Sequence, residues 1–158
     1  MTILLRAVFV VAAILSIQLL RAQLIGRQTA APIVTTGQIQ SLRSTEGLED
    51  SFVIVDVRDK VETDVSVIPG AVTQAEFERT ADQQHGKTVL VYCTVGHRSG
   101  IYAQKLQNDG WDARNYKGSI LAWCDNHLPV VTRDGKDTKR VHTYNSSYSL
   151  ARGYQAVY

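Results

Sequence analysis

The chain has 158 residues, 44% hydrophobic and 20% charged, a balance that fits one ordinary globular domain and excludes wholesale disorder. Three of the 17 basic residues (Arg6, Arg21, Arg27) fall in the first 30 positions, where there is no acid, so the other 14 face 15 acids in a near-neutral body. That body lacks the basic footprint of a nucleic-acid binder, and Cys93 and Cys124 are too few for a disulfide scaffold or a four-ligand zinc site.

The segment from Ala7 to Leu20 carries no charge and is flanked by Arg6 and Arg21. Apolar on every face, it reads as a membrane anchor or export signal over residues 1–22 rather than a surface helix. No good small-residue cleavage site follows, which favours a retained anchor, and the flanking arginines leave the orientation open. The implied location is a bacterial inner membrane or periplasm-like compartment. Residues 23–32 read as a linker.

A domain over residues 33–130 follows. Thr36 is placed to cap a short helix through Leu42. Phe52–Val57 is a β-branched run typical of a strand covered on both faces. Pro69-Gly70 marks a turn, and Thr73 with Glu76 forms a capping box before a short helix. Thr88–Tyr92 is a second buried strand, Ser99–Asp109 a helix closed by Gly110, Ala113–Tyr116 a third strand and Ser119–His127 a further helix. Alternating strands and helices predict an α/β fold, a central mostly parallel sheet flanked by helices, with an N-terminal hydrophobic helix in addition. In the extension over 131–158, Asp134-Gly135 predicts a hairpin. Four of the seven tyrosines lie there (Tyr144, Tyr148, Tyr154, Tyr158), either packed on the domain or forming a partner or membrane-contact surface.

The segment from Val89 to Ser99 carries the chemistry. Cys93 follows a buried parallel strand, and a loop through Arg98 leads to the helix beginning near Ser99. Ligands of open α/β sheets bind outside the carboxyl ends of the strands. A loop wrapping back to a helix N-terminus aims N–H groups and the positive end of the dipole inward, which favours a thiolate. Gly96 permits a backbone shape closed to other residues. Arg98 offers a forked cation for an oxyanion, and His97 adds charge at lower pH.

Cys93, Gly96, Arg98 and Ser99 resemble the active-site loop of the rhodanese (sulfurtransferase) superfamily. Val55-Asp56-Val57-Arg58, Ile68-Pro69-Gly70-Ala71, Gly118 with Ala122-Trp123, and Pro129 resemble further family motifs in the same order. Val67 stands where the family usually has His, and Lys117-Gly118 where it has a Gly pair. The resemblance implies a rhodanese-like fold in which Cys93 carries sulfur as a persulfide, from a small donor such as thiosulfate to a thiol or cyanide. Thr94, Val95, Gly96, His97, Arg98 and Ser99 would then form the binding loop, with no metal or organic cofactor. Asp56 and Arg58 support the site as an ion pair at the sheet edge.

Three rivals accompany this reading. Phosphatase or arsenate reductase chemistry wants five residues between Cys and Arg, and only Thr94–His97 intervene here. A redox pair would need Cys124 near Cys93. A non-catalytic tethered module would use the extension to hold a protein partner.

Overall fold

The structure, a computed structural model, describes residues 30–48 and 50–158. The segment expected as an anchor or signal (residues 1–22) lies outside the described residues, as does most of the expected linker. Among the described residues no helix is long and apolar enough to cross a membrane.

The β-branched runs form the middle of a five-stranded sheet in which every pairing is parallel. Its strands are β1 (Ile33–Val34), β2 (Phe52–Asp56), β3 (Val72–Thr73), β4 (Thr88–Tyr92) and β5 (Ala113–Tyr116), in the order β1-β5-β4-β2-β3. β4 is therefore central, paired with β2 from Phe52↔Thr88 to Asp56↔Tyr92 and with β5 from Val89↔Ala113 to Val91↔Asn115. Alternation along β4 divides the core. Val89 and Val91 face one layer with Cys93, Tyr102, Ala103 and Leu106, while Leu90 and Tyr92 face the other with Tyr116, Ile120, Trp123 and Cys124.

The helices are α1 (Thr36–Ser44), α2 (Lys60–Thr63), α3 (Gln74–Arg79), α4 (His97–Asn108) and α5 (Ser119–Asp125), with a 3₁₀ turn at Ala81–Gln84. Several boundaries differ from expectation by one or two residues, and three of them have a visible cause. The cap of α1 is Thr35, not Thr36: Gln38 lies three residues beyond Thr35 and closes the capping box, while the Thr36 hydroxyl meets the Tyr116 hydroxyl at 2.7 Å. α4 begins at His97 rather than near Ser99, because left-handed Gly96 turns the chain directly into the helix. α5 stops at Asp125 rather than His127, where φ is +57° and the helix cannot continue.

The expected hairpin forms, β6 (Val130–Val131) pairing antiparallel with β7 (Asp137–Thr138) across a turn at Gly135. Val67 and Val131 exchange backbone hydrogen bonds of 2.7 and 3.0 Å, stitching this tail to the domain. β8 (Arg140–His142) then pairs parallel with β9 (Gln155–Val157). Val141 is fully buried in the core layer of Trp123, and the Tyr154 hydroxyl donates to Leu128 O at 2.6 Å. The loop between β8 and β9 holds Tyr144 and Tyr148.

Candidate active site

Cys93 follows the last residue of β4, at the carboxyl end of the central strand, and the loop from Cys93 to Gly96 is shorter than the six residues expected. Gly96 is required twice over: its φ is +92°, and a Cβ there would lie 2.0 Å from Lys117 O. This close approach sets the loop against the start of α5. The Cys93 N–H donates to Ser119 Oγ at 3.0 Å, and Cys93 O accepts from Ile120 N–H at 3.2 Å.

Donors converge on the Cys93 sulfur. The Gly96 N–H donates to it at 3.1 Å, with the Val95 and Ser99 N–H groups also directed at it. Ser99 Oγ stands at 3.5 Å and Ser119 Oγ at 3.8 Å. Each hydroxyl has a shorter alternative acceptor, Asn115 Oδ1 at 2.7 Å for Ser99 and Tyr116 O at 2.8 Å for Ser119. Burial pushes the thiol pKa up, but the Ser99 hydroxyl and the three backbone N–H groups outweigh it and hold the thiol below its ordinary value. Cys93 is 1% exposed and forms part of the lining of a cavity of about 280 Å3 with Thr94, Val95, His97, Arg98, Tyr144 and Tyr148. Two clefts of about 590 Å3 are larger, but neither is lined by the cysteine.

Arg98 does not stand open to an oxyanion, as its forked donors had suggested. Its Nη1 and Nη2 bind Glu62 Oε2 and Oε1 at 2.7 and 2.8 Å, and they also reach Asp59 Oδ2 and Thr94 Oγ1, each at 3.1 Å. Thr94 Oγ1 donates to Glu62 Oε1 at 2.9 Å. Burial pushes the Glu62 carboxyl up, yet hydrogen bonds from Arg98, the Asp59 N–H and Thr94 together hold it below the usual carboxylate range. The guanidinium thus fastens the first turn of α4 to α2. Asp56 and Arg58 do pair, at 2.7 Å, but not at a lateral edge: β2 is an inner strand, and both side chains are fully buried at its carboxyl end. Arg58 Nη2 also donates to Ser66 O at 2.6 Å, bracing the segment before the Ile68-Pro69 turn.

Of the expected loop, Val95, Gly96 and Ser99 turn donors to the Cys93 sulfur, Thr94 and Arg98 turn to Glu62, and His97 is exposed in the first turn of α4 at the cavity wall. Asp56 and Arg58 lie outside this cluster. Cys124 lies in the other core layer, and burial followed by the nearby Asp125 pushes its thiol up to about 12. Both thiols are free. Among the described residues no group of three or more His, Cys, Asp or Glu is arranged to hold a metal ion.

Sequence reading missed Glu62, Asn115 and Ser119. Asp59 followed three residues later by Glu62 is a helix-start signal that could have located the first. Asn115 Nδ2 donates to Gly96 O at 3.1 Å, inside a strand where polarity alone carried no message. Ser119 works through a left-handed backbone, φ +54°, that the sequence does not announce.

The molecule is thus an α/β protein whose central parallel strand ends in a cysteine held by backbone N–H groups. The chain belongs to the rhodanese-like domain family, whose model matches residues 40–126. A protein of Allochromatium vinosum named Sulfurtransferase is 29% identical over 100 residues, 61% of this chain and 90% of that protein. Uncharacterized protein slr1261 of Synechocystis sp. is 31% identical over 127 residues, 75% of this chain, and the chain spans 61% of that protein's length. A solved structure from Rhodopseudomonas palustris, described as a protein of unknown function and possible tyrosine phosphatase, is similar with a TM-score of 0.54 and 26% identity. That match covers 64% of this chain and 85% of the other. Family membership and the sulfurtransferase relative support sulfurtransferase-like function at the level of the family.

Proposed function

We propose that the protein is a sulfurtransferase that carries sulfane sulfur as a Cys93 persulfide. One observation carries the reading: the Cys93 sulfur accepts the Gly96 N–H at 3.1 Å, with its thiol pKa lowered, at the floor of a cavity. The thiolate attacks the outer sulfur of a donor such as thiosulfate. A new S–S bond forms at Cys93, the donor's S–S bond breaks, and sulfite leaves with the electron pair. A thiol or cyanide acceptor then takes the outer sulfur and restores the thiolate, a double displacement without net oxidation. Thr94–Ser99 is the binding loop, in which Arg98 is a positioning residue held by Glu62.

Two features disfavour phosphoryl transfer. Four residues separate Cys93 from Arg98, and the guanidinium that would grip a phosphoryl group is committed to carboxylates. We also take residues 1–22 as a membrane or export element, which fractionation with protease accessibility tests.

Mass spectrometry of protein treated with thiosulfate tests the chemistry: a gain of about 32 Da at Cys93, reversed by cyanide and absent from Cys93→Ser. Hydrolysis of a phosphoester without any such gain or any sulfur transfer to cyanide overturns the proposal. A chain that performs neither reaction is the non-catalytic module.

A further inference from the structure

Two of the seven cavity-lining residues, Tyr144 and Tyr148, come from the β8–β9 loop, beyond the segment matched by the family model. Tyr144 holds a left-handed backbone, φ +72°, which a bulky residue adopts only where its surroundings compel it. The compulsion is visible. Thr143 N–H donates to Val157 O at 2.8 Å, Tyr144 N–H to His142 Nδ1 at 3.1 Å and Ser147 N–H to Asn145 Oδ1 at 2.9 Å. The Tyr144 ring is thereby brought within 5.5 Å of the Arg98 guanidinium carbon. Yet Tyr144 is 60% and Tyr148 36% exposed, so the rings cover the site without being buried in the core.

The charge of the lining matters as much as its shape. Arg98 is neutralised by Glu62 and Asp59, and among the described residues no lysine or second arginine lines the cavity. Beyond the N–H groups that hold the Cys93 sulfur, the walls of the cavity therefore offer an acceptor anion no unpaired lysine or arginine among the described residues. An apolar group would gain by leaving water against Val95 and two aromatic rings. The cavity, about 280 Å3, is also larger than a single outer sulfur atom needs.

We propose that Tyr144 and Tyr148 are specificity-determining residues that seat the apolar group of a low-molecular-weight organic thiol, directing the persulfide sulfur to that thiol in preference to a small inorganic anion. This rests on the sulfurtransferase reading of Cys93. In the step concerned, the acceptor thiolate attacks the outer sulfur of the Cys93 persulfide. The S–S bond to Cys93 breaks, its electron pair returns to Cys93 as thiolate, and the acceptor departs as an organic persulfide with no external oxidant.

The test loads the full chain with inorganic polysulfide, verifies a gain of about 32 Da, and follows single-turnover discharge to benzyl mercaptan or to cyanide. Tyr144→Ala with Tyr148→Ala is expected to slow discharge to benzyl mercaptan about tenfold or more, and discharge to cyanide by less than about threefold. Tyr144→Phe with Tyr148→Phe keeps the rings and is expected to match the parent protein. Equal losses on both acceptors, no loss on either, or a Phe variant as impaired as the Ala variant overturns the specificity role while leaving the persulfide chemistry standing. Failure of the parent protein to load with polysulfide or thiosulfate overturns the sulfurtransferase reading, and this inference with it.

Discussion

Glu62 is 1% exposed and accepts from Arg98, Thr94 and the Asp59 N–H, so one carboxylate ties α2, the cysteine loop and α4 together. Its folded pKa lies below its value in the unfolded chain. A depressed carboxylate contributes stability that is present above the unfolded pKa, 4.5, and lost as pH falls through the folded one. Glu62→Gln should remove that share of acid sensitivity. It should also destabilise the fold by about 2 kcal/mol near neutral pH, since Arg98 loses its closer, buried ionic partner and keeps only the exposed Asp59. Thermal melts of both proteins from acid to neutral pH check this, with curves that converge at low pH as the expected result. The two thiols offer a second contrast. Cys93 is lowered and lines a cavity, whereas Cys124 is raised to about 12 in the core. Iodoacetamide at neutral pH should alkylate one thiol per folded chain, at Cys93, and reach Cys124 only in denaturant. Labelling of Cys124 in the folded protein would contradict this assignment.

At the scale of elements, the strand–loop–helix unit from β4 to α4 depends on Gly96, and a paired substitution separates its two demands. Gly96→Ala brings a Cβ to 2.0 Å from Lys117 O at a φ of +92°, so backbone must move. Gly135→Ala meets the same kind of positive φ, +83°, with nothing within 4 Å. The hairpin variant should lose about 1 kcal/mol from backbone strain alone and keep its persulfide loading. The loop variant should lose more stability and at least about a hundredfold in loading rate, because the cradle of N–H groups is displaced. Stopped-flow loading with thiosulfate and denaturant melts distinguish the two. The same unit shows what the sequence made legible. Val89–Val91, Cys93, Gly96 and the helix that follows are contiguous, so strand, turn and capping chemistry spell them out locally. The partner of Arg98 lies 36 residues away in sequence and that of the Cys93 N–H 26 away. Such pairings are made by the sheet order, not by any local pattern. The donors of Arg98 consequently read as free for an oxyanion when the fold had already committed them.

Across the whole molecule, the extension beyond the family match is built into the core rather than appended to it. Val130 and Val141 are buried beside Ile68 and Trp123, Val131 is stitched to Val67, and Tyr154 bonds Leu128 O. Val67, where a histidine would be usual in the resemblance, is thus an apolar partner to this tail. Burying two valines contributes about 3–6 kcal/mol, a large part of the 5–15 kcal/mol that holds a typical domain. Deleting residues 130–158 should therefore abolish cooperative thermal unfolding, not merely trim a surface. Val141→Ala, which removes one well-packed contact, should cost about 2 kcal/mol and leave the melt cooperative. The pair is informative because the two readings of the tail diverge. If it were an accessory, the truncated chain would melt within a few degrees of the full one and Val141→Ala would be silent. If it completes the core, calorimetry finds a sharp transition in the point variant and none in the truncation. The loop that carries Tyr144 and Tyr148 then owes its position over Cys93 to the same packing.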